Sequence, residues 1–189
     1  HNNRIKYVEV SSSEQGISVN SNAAISISTG KYYALLDHDD LLTSNCALEV
    51  IVAHEENNCD FIYTAEDKVD STGLNFYGPV YKDSYSEEKL LTNNYITHLS
   101  SFSRELIEEI GGFRPKYDGA QDYDLILRAS SHAKKIIYLP RVVYHWRVFE
   151  GSTSAGCPEP KPYAIEAGRK ALEAFLLEKG KAKFSVQNG

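Results

Sequence analysis

The stretch Tyr32-Tyr33-Ala34-Leu35-Leu36-Asp37-His38-Asp39-Asp40 joins a short apolar run to three carboxylates within four positions. The run has the length and hydrophobicity of a buried parallel strand. Open α/β sheets collect their chemistry beyond the carboxyl ends of the strands, so a strand here would deliver Asp37, Asp39 and Asp40 to an active edge. Carboxylates this close repel one another unless a cation lies between them, and no Lys or Arg adjoins them. A divalent-metal site accounts for the pattern. A solvated strand-to-helix turn, with Asp40 or Thr43 capping the next helix, accounts for it too.

Working outward, 189 residues with 42% hydrophobic content suit a single domain with a full core. A net charge of −6 argues against an electrostatically driven nucleic-acid binder, so no nucleic-acid partner is expected. Cys46, Cys59 and Cys157 are odd in number and widely spaced, which fits reduced thiols in a cytoplasmic protein better than a disulfide framework or a zinc site. No apolar stretch approaches the ~18 residues of a membrane span, and no signal peptide opens the chain. The sequence contains no Met, from which we expect a piece of a longer protein.

Strand-like and helix-like segments alternate. Strands are expected at Ile5–Val10, Tyr32–Leu36, Asp60–Tyr63, Leu99–Phe102, Ile136–Leu139 and Val142–Trp146, the last two split by Pro140. Helices are expected at Asn22–Ser28, from Thr43 or Ser44 to Glu56, from Ser103 to Gly111-Gly112, and at Gln121–Ala133 and Pro162–Lys179. The second of these would bury Ala47, Leu48, Ile51 and Val52. Residues 71–86 read as an irregular excursion, and 150–162 as a flexible loop. Such alternation predicts a three-layer α/β domain with a mostly parallel central sheet.

Three stretches taken together resemble the family 2 glycosyltransferases of the GT-A fold, a Rossmann-like architecture, and within them the bacterial enzymes of surface polysaccharide synthesis. The first runs from Gly16-Ile17-Ser18 through Asn22-Ala23-Ala24 and Thr29-Gly30-Lys31 into the acidic run. The second is Gly111-Gly112-Phe113 with Asp118-Gly119-Ala120-Gln121-Asp122-Tyr123-Asp124-Leu125. The third is Tyr144-His145-Trp146-Arg147 with Gly151-Ser152-Thr153-Ser154, and Asp60-Phe61-Ile62-Tyr63 with Glu66-Asp67-Lys68 also fits. Members of that family begin with a strand, a helix and a strand that hold the base and part of the ribose. This sequence opens at what resembles the next strand, so an N-terminally truncated fragment is expected, inactive without the part that holds the base.

The resemblance implies an inverting transfer from a nucleotide-sugar donor (UDP-, GDP- or dTDP-linked) to a glycan or lipid-linked acceptor, with Mn²⁺ or Mg²⁺ as cofactor. A lipid-linked acceptor would bring the cytoplasmic chain to the inner face of the membrane. By the same resemblance Asp37 contacts the ribose, Asp39 ligates the metal, His145 completes the metal shell, and Asp122 is the catalytic base. Gln121 stands where the family usually has Glu. Asn22, Glu66, Asp67, Trp146 and Arg147 are the remaining donor-site candidates, and residues 151–156 a candidate lid. Each residue also has a plainer use: Asp122 and Asp124 suit a helix N-terminus, His145 and Trp146 suit core packing, Glu66 and Asp67 a capped turn, and Arg147 a surface ion pair. His98 fits either the core or an acceptor site. Two rivals fit the acidic run. A haloacid-dehalogenase-type phosphatase would use Asp37 as nucleophile and Asp39 as acid, but that pattern prefers Gly-Thr where this chain has Asp40-Leu41. The other is a catalytically silent sugar- or partner-binding domain.

Overall fold

In the computed structural model, residues 4–11, 16–149 and 162–180 are described. The elements run α1 (Ile17–Ile27), β1 (Tyr32–Ala34), β2 (Leu41–Leu42), α2 (Cys46–Asn57), β3 (Phe61–Val69), β4 (Phe76–Val80), α3 (Glu87–Thr92), β5 (Ser100–Ser103), α4 (Arg104–Ile110), a 3₁₀ turn at Pro115–Tyr117, α5 (Gln121–His132), β6 (Ile136–Arg147) and α6 (Pro162–Glu178). The sheet order is β1-β5-β3-β6-β2, with β4 pairing β3 beyond the end of β5. Alternation along β3 builds the layers. Phe61 and Tyr63 face a core shared with α3, α4, α5 and α6, while Ile62 faces the opposite side with Ala53 of α2. All three β3 side chains are fully buried, each contributing on the order of 1.5–3 kcal/mol.

The expected mostly parallel sheet is corrected to a mixed one. β3 and β6 pair in parallel, whereas β1/β5, β3/β5, β3/β4 and β2/β6 are antiparallel. Hydrophobic periodicity reports that a segment is a strand and which face is buried; it carries nothing about the direction of its neighbour. The expected strand at Ile5–Val10 forms no regular element, since no described strand offers it a ladder, and Ile5 and Tyr7 are exposed. β3 runs six residues beyond its expected end at Tyr63, because its polar residues find partners across the sheet. Pro140 does not split β6: Thr64 pairs with Leu139 and Ala65 with Val142, so Pro140 and Arg141 bulge out of a continuous strand.

Where local signals dominate, expectation and structure coincide. The Ser103 hydroxyl caps α4 by accepting from the Leu106 N–H at 3.2 Å, and Gly111, at φ 75°, ends that helix in the left-handed region. Helix α2 has the expected length but turns a different face inward. Cys46, Val50, Ala53 and His54 are buried, while Leu48, Ile51 and Val52 are exposed. The true stripe contains a Cys and a His, which a reading weighted to aliphatic residues passes over.

Candidate active site

Because β1 and β3 each run against β5 and β6 runs with β3, the carboxyl ends of β1, β3 and β6 share one edge with the amino end of β5. The acidic turn, the Glu66-Asp67 pair, residues 145–147 and His98 all meet there. Leu35 extends the β1 ladder through its N–H to the Ser100 carbonyl (3.1 Å), after which the chain turns, the Asp40 N–H donating to the Asp37 carbonyl at 3.2 Å.

β6 anchors this turn. The Tyr144 hydroxyl accepts from the Asp37 N–H at 3.3 Å and donates to Asp40 Oδ2. Arg147 donates its N–H to Asp40 Oδ1 (2.8 Å), its Nε to the Asp39 carbonyl (2.6 Å) and its Nη1 to the Ser71 carbonyl (3.0 Å). Burial pushes the Asp40 carboxyl above its ordinary range, against the pull of these hydrogen bonds. Burial and the neighbouring Asp40 push the Tyr144 phenol up as well, so it remains a donor.

His98 stacks on Tyr144 with ring centres 4.6 Å apart and meets Trp146 edge-on at 5.3 Å. One ligand atom from each of Asp37, Asp40 and His98 lies within 4.8 Å of the others. This set differs from the expected Asp39 and His145. The Asp39 side chain lies beside His38 at 3.9 Å. His145 Nδ1 bonds Asp67 Oδ1 at 2.5 Å, its ring packed on Phe76, and register places it opposite Leu41, immediately after the acidic turn. The Asp67 carboxylate orients the imidazole through Nδ1, the arrangement found behind metal-binding imidazoles. Hard oxygens joined by one imidazole suit Mn²⁺ or Mg²⁺, and among the described residues it is Asp37, Asp40 and His98 whose ligand atoms are gathered at that spacing.

Across a cavity of about 270 Å³, Asp37, Thr97 and His98 face Gln121 and Asp122 of α5. Asp122 Oδ2 accepts from Asn94 Nδ2 at 3.1 Å, and burial raises its pKa above the ordinary carboxylate value. A more basic carboxylate at a cavity wall is better suited to accept a proton near neutral pH.

Of the other expected donor-site residues, Asn22, Glu66, Asp67 and Arg147 have their polar atoms engaged. Asn22 clamps the Phe113 backbone, donating to its carbonyl and accepting from its N–H, each at 2.8 Å. Glu66 and Asp67 lie within β3 rather than after it, and Glu66 is buried against Lys82. Trp146 packs on the Cys46–Val50–Leu99 cluster. The candidate lid at 151–156 lies outside the described residues. Sequence reasoning passed over Asn94 and Lys82 and left His98 undecided; for Asn94 and His98 the available signal was the polar residues Asn93, Asn94, Thr97 and His98 leading into a strand, and for Lys82 there was none.

A mixed sheet with carboxylates and imidazoles gathered at one edge, facing a helix-borne acid, defines a GT-A-type α/β domain. The chain belongs to glycosyl transferase family 2, whose family model matches residues 1–111. It is 42% identical over 161 residues (82% of this chain, 17% of the relative) to the uncharacterized protein y4gI of Sinorhizobium fredii. It is 30% identical over 177 residues (93% of this chain, 14% of the relative) to the O-antigen biosynthesis protein RfbC of Myxococcus xanthus. The chain therefore spans less than a fifth of the length of these relatives. Among solved structures it resembles S. aureus TarS in complex with UDP-GlcNAc (TM-score 0.64, 15% identity, 90% of this chain and 48% of that one). It also resembles the mannosyltransferase PcManGT of Pyrobaculum calidifontis with GDP-Man and Mn²⁺ (TM-score 0.51, 16% identity, 92% and 56%). These two likenesses carry the fold. No helix among the described residues is long and apolar enough to cross a membrane.

Proposed function

We propose that this domain catalyses inverting, divalent-cation-dependent transfer of a sugar from a nucleotide-sugar donor to a glycan or lipid-linked acceptor in bacterial surface polysaccharide synthesis. The carrying observation is the set of carboxylates and imidazole at ligand spacing, Asp37, Asp40 and His98, opposite Asp122 across one cavity. The solved relatives with UDP-GlcNAc, or with GDP-Man and Mn²⁺, support a nucleoside-diphosphate donor. A bound divalent cation supplies Lewis-acid stabilisation of the departing diphosphate. Asp37 orients the ribose only in the second of two cation readings, where Asp39 and His145 hold the metal. Asp122 Oδ1 or Oδ2 takes the proton of the acceptor hydroxyl as it attacks the anomeric carbon from the face opposite the leaving group. Trp146 offers an apolar edge to the donor, while Asn22, Glu66, Asp67 and Arg147 shape the site from behind.

Asp37, Asp40 and His98 hold the cation in the first reading. The hydrogen bond between His145 and Asp67, which orients that imidazole, favours a second in which Asp39 and His145 do so. Titrating Mn²⁺ with UDP or GDP into the intact protein decides between them. Loss of binding in Asp37→Ala with retention in Asp39→Ala supports the first reading, and the reverse supports the second. Undiminished binding in both variants overturns the proposed cation site.

A further inference from the structure

The loop between α3 and β5 bears both sides of the site: Asn94 holds Asp122, and His98 meets Asp37 and Asp40. Its own geometry is awkward, with Thr97 at φ 39° in the left-handed region that a β-branched residue avoids. The loop is wound on one buried ammonium. Lys82 Nζ donates to the Ile96 carbonyl (2.5 Å), the His98 carbonyl, Thr97 Oγ1 (3.3 Å) and Glu66 Oε2 (3.2 Å). Glu66 Oε2 in turn accepts from the His98 N–H and from Thr97 Oγ1, each at 3.1 Å. The Lys82 side chain is 3% exposed and that of Glu66 9%.

Both charges are desolvated, at a cost that an apolar pair filling the same volume would avoid. Stability alone therefore does not explain the pair. What the ammonium does, and an apolar side chain cannot, is draw the Ile96 and His98 carbonyls and the Glu66 carboxylate to one point. That contact sets the path of residues 94–98.

We propose that Lys82 and Glu66 are positioning residues: the ion pair fixes the distance between the proton acceptor Asp122 and the cation site by anchoring the loop that carries Asn94 and His98. This rests on the functional reading above. The two can fail separately, because the loop can be read without activity.

The test compares the intact protein with Lys82→Met/Glu66→Gln, which removes both charges and leaves no buried ion unpaired, and with Glu66→Asp, which keeps the pair but withdraws the anchor by one methylene. We expect both to lower kcat roughly 10- to 100-fold, the scale of an ångström-sized misplacement, and to weaken Mn²⁺-dependent nucleotide binding by less than His98→Ala does. Hydrogen exchange at the His98 amide should accelerate at least tenfold in the neutral double variant while exchange in α5 stays unchanged. Wild-type kcat and wild-type His98 exchange in either folded variant would overturn the proposal. If the neutral double variant does not fold, Glu66→Asp decides by the same criteria. An inactive wild type whose His98 exchange still accelerates in the variants would sink the functional reading and keep the anchor.

Discussion

Asp122 and Asp124 leave the same first turn of α5, yet they meet different surroundings. Asp124 is 1% exposed and is gripped by Arg114 Nε at 3.1 Å and by Arg128 Nε and Nη2 at 3.0 and 2.7 Å. Asp122 has a neutral amide, Asn94, and a cavity. The same division runs through the whole carboxyl edge. Glu66 and Asp67 find Lys82 and His145, whereas among the described residues no Lys or Arg side chain forms an ion pair with Asp37, Asp40 or Asp122. An acid with its own cationic partner, as Glu66 has Lys82 and Asp124 has Arg128, is committed to the fold. An acid without one is left to take a proton or a metal.

The largest effect expected from this contrast is on rate. Asp122→Asn keeps size and removes the proton acceptor, so transfer should fall ~10²–10⁴-fold while nucleotide and Mn²⁺ affinity hold. Steady-state transfer measured beside nucleotide binding checks this, and a near-normal rate would place the base elsewhere.

Asp124→Asn should show the complementary phenotype. It strands Arg128, whose side chain is 6% exposed, and should lower unfolding free energy by about 3–5 kcal/mol with little change in rate per folded molecule. Denaturant titration reads the loss, and unchanged stability would dissolve the distinction between the two acids.

The histidines sharpen it further. If His98 belongs with the uncompensated acids, His98→Ala should weaken Mn²⁺ binding roughly 10- to 100-fold while His145→Ala leaves it intact. The opposite outcome would mean that the Asp67–His145 pair orients a ligand and belongs to the site. Calorimetry with Mn²⁺ and nucleotide distinguishes them.

The smallest effect concerns His54, 1% exposed, its Nδ1 on the Cys59 carbonyl (2.9 Å) and Nε2 on the Ser101 hydroxyl (3.0 Å). A carbonyl only accepts, so Nδ1 carries a proton. Burial lowers its pKa from the ordinary 6.5. The unfolded chain therefore takes up a proton first as pH falls. Stability is complete above about pH 6.5 and declines below it by up to ~1.4 kcal/mol per pH unit until the folded-state pKa is reached. His54→Gln should flatten that acid slope in unfolding measured from pH 7 to 5, and parallel curves would contradict the assignment.

How much was legible follows the range of the forces involved. Helices α4 and α5 were readable because caps, glycine terminators and the Leu125-Ile126-Ala129 spacing are local signals. β1 was readable as a strand from its apolar run, but the buried parallel strand expected there is a three-residue edge strand, antiparallel to β5, with Ala34 and Leu36 exposed. The buried face of α2 was misread, since its stripe includes Cys46 and His54. β3 was cut short because Glu66, Asp67 and Lys68 look like loop until Lys82, His145 and the β6 ladder are in place.

From the sequence alone come the α/β class, the acidic turn at the end of β1 and the carboxylates at the start of α5, because short-range periodicity and turn chemistry are written in neighbouring residues. The tertiary structure alone decided the direction of β5, the engagement of Glu66 and Asp124 by cations, and the meeting of His98 with Asp37 and Asp40. Those outcomes depend on which distant groups share a low-dielectric space. Residues 28 positions apart, as Asn94 and Asp122 are, acquire a common energy only when the chain brings them within hydrogen-bond reach.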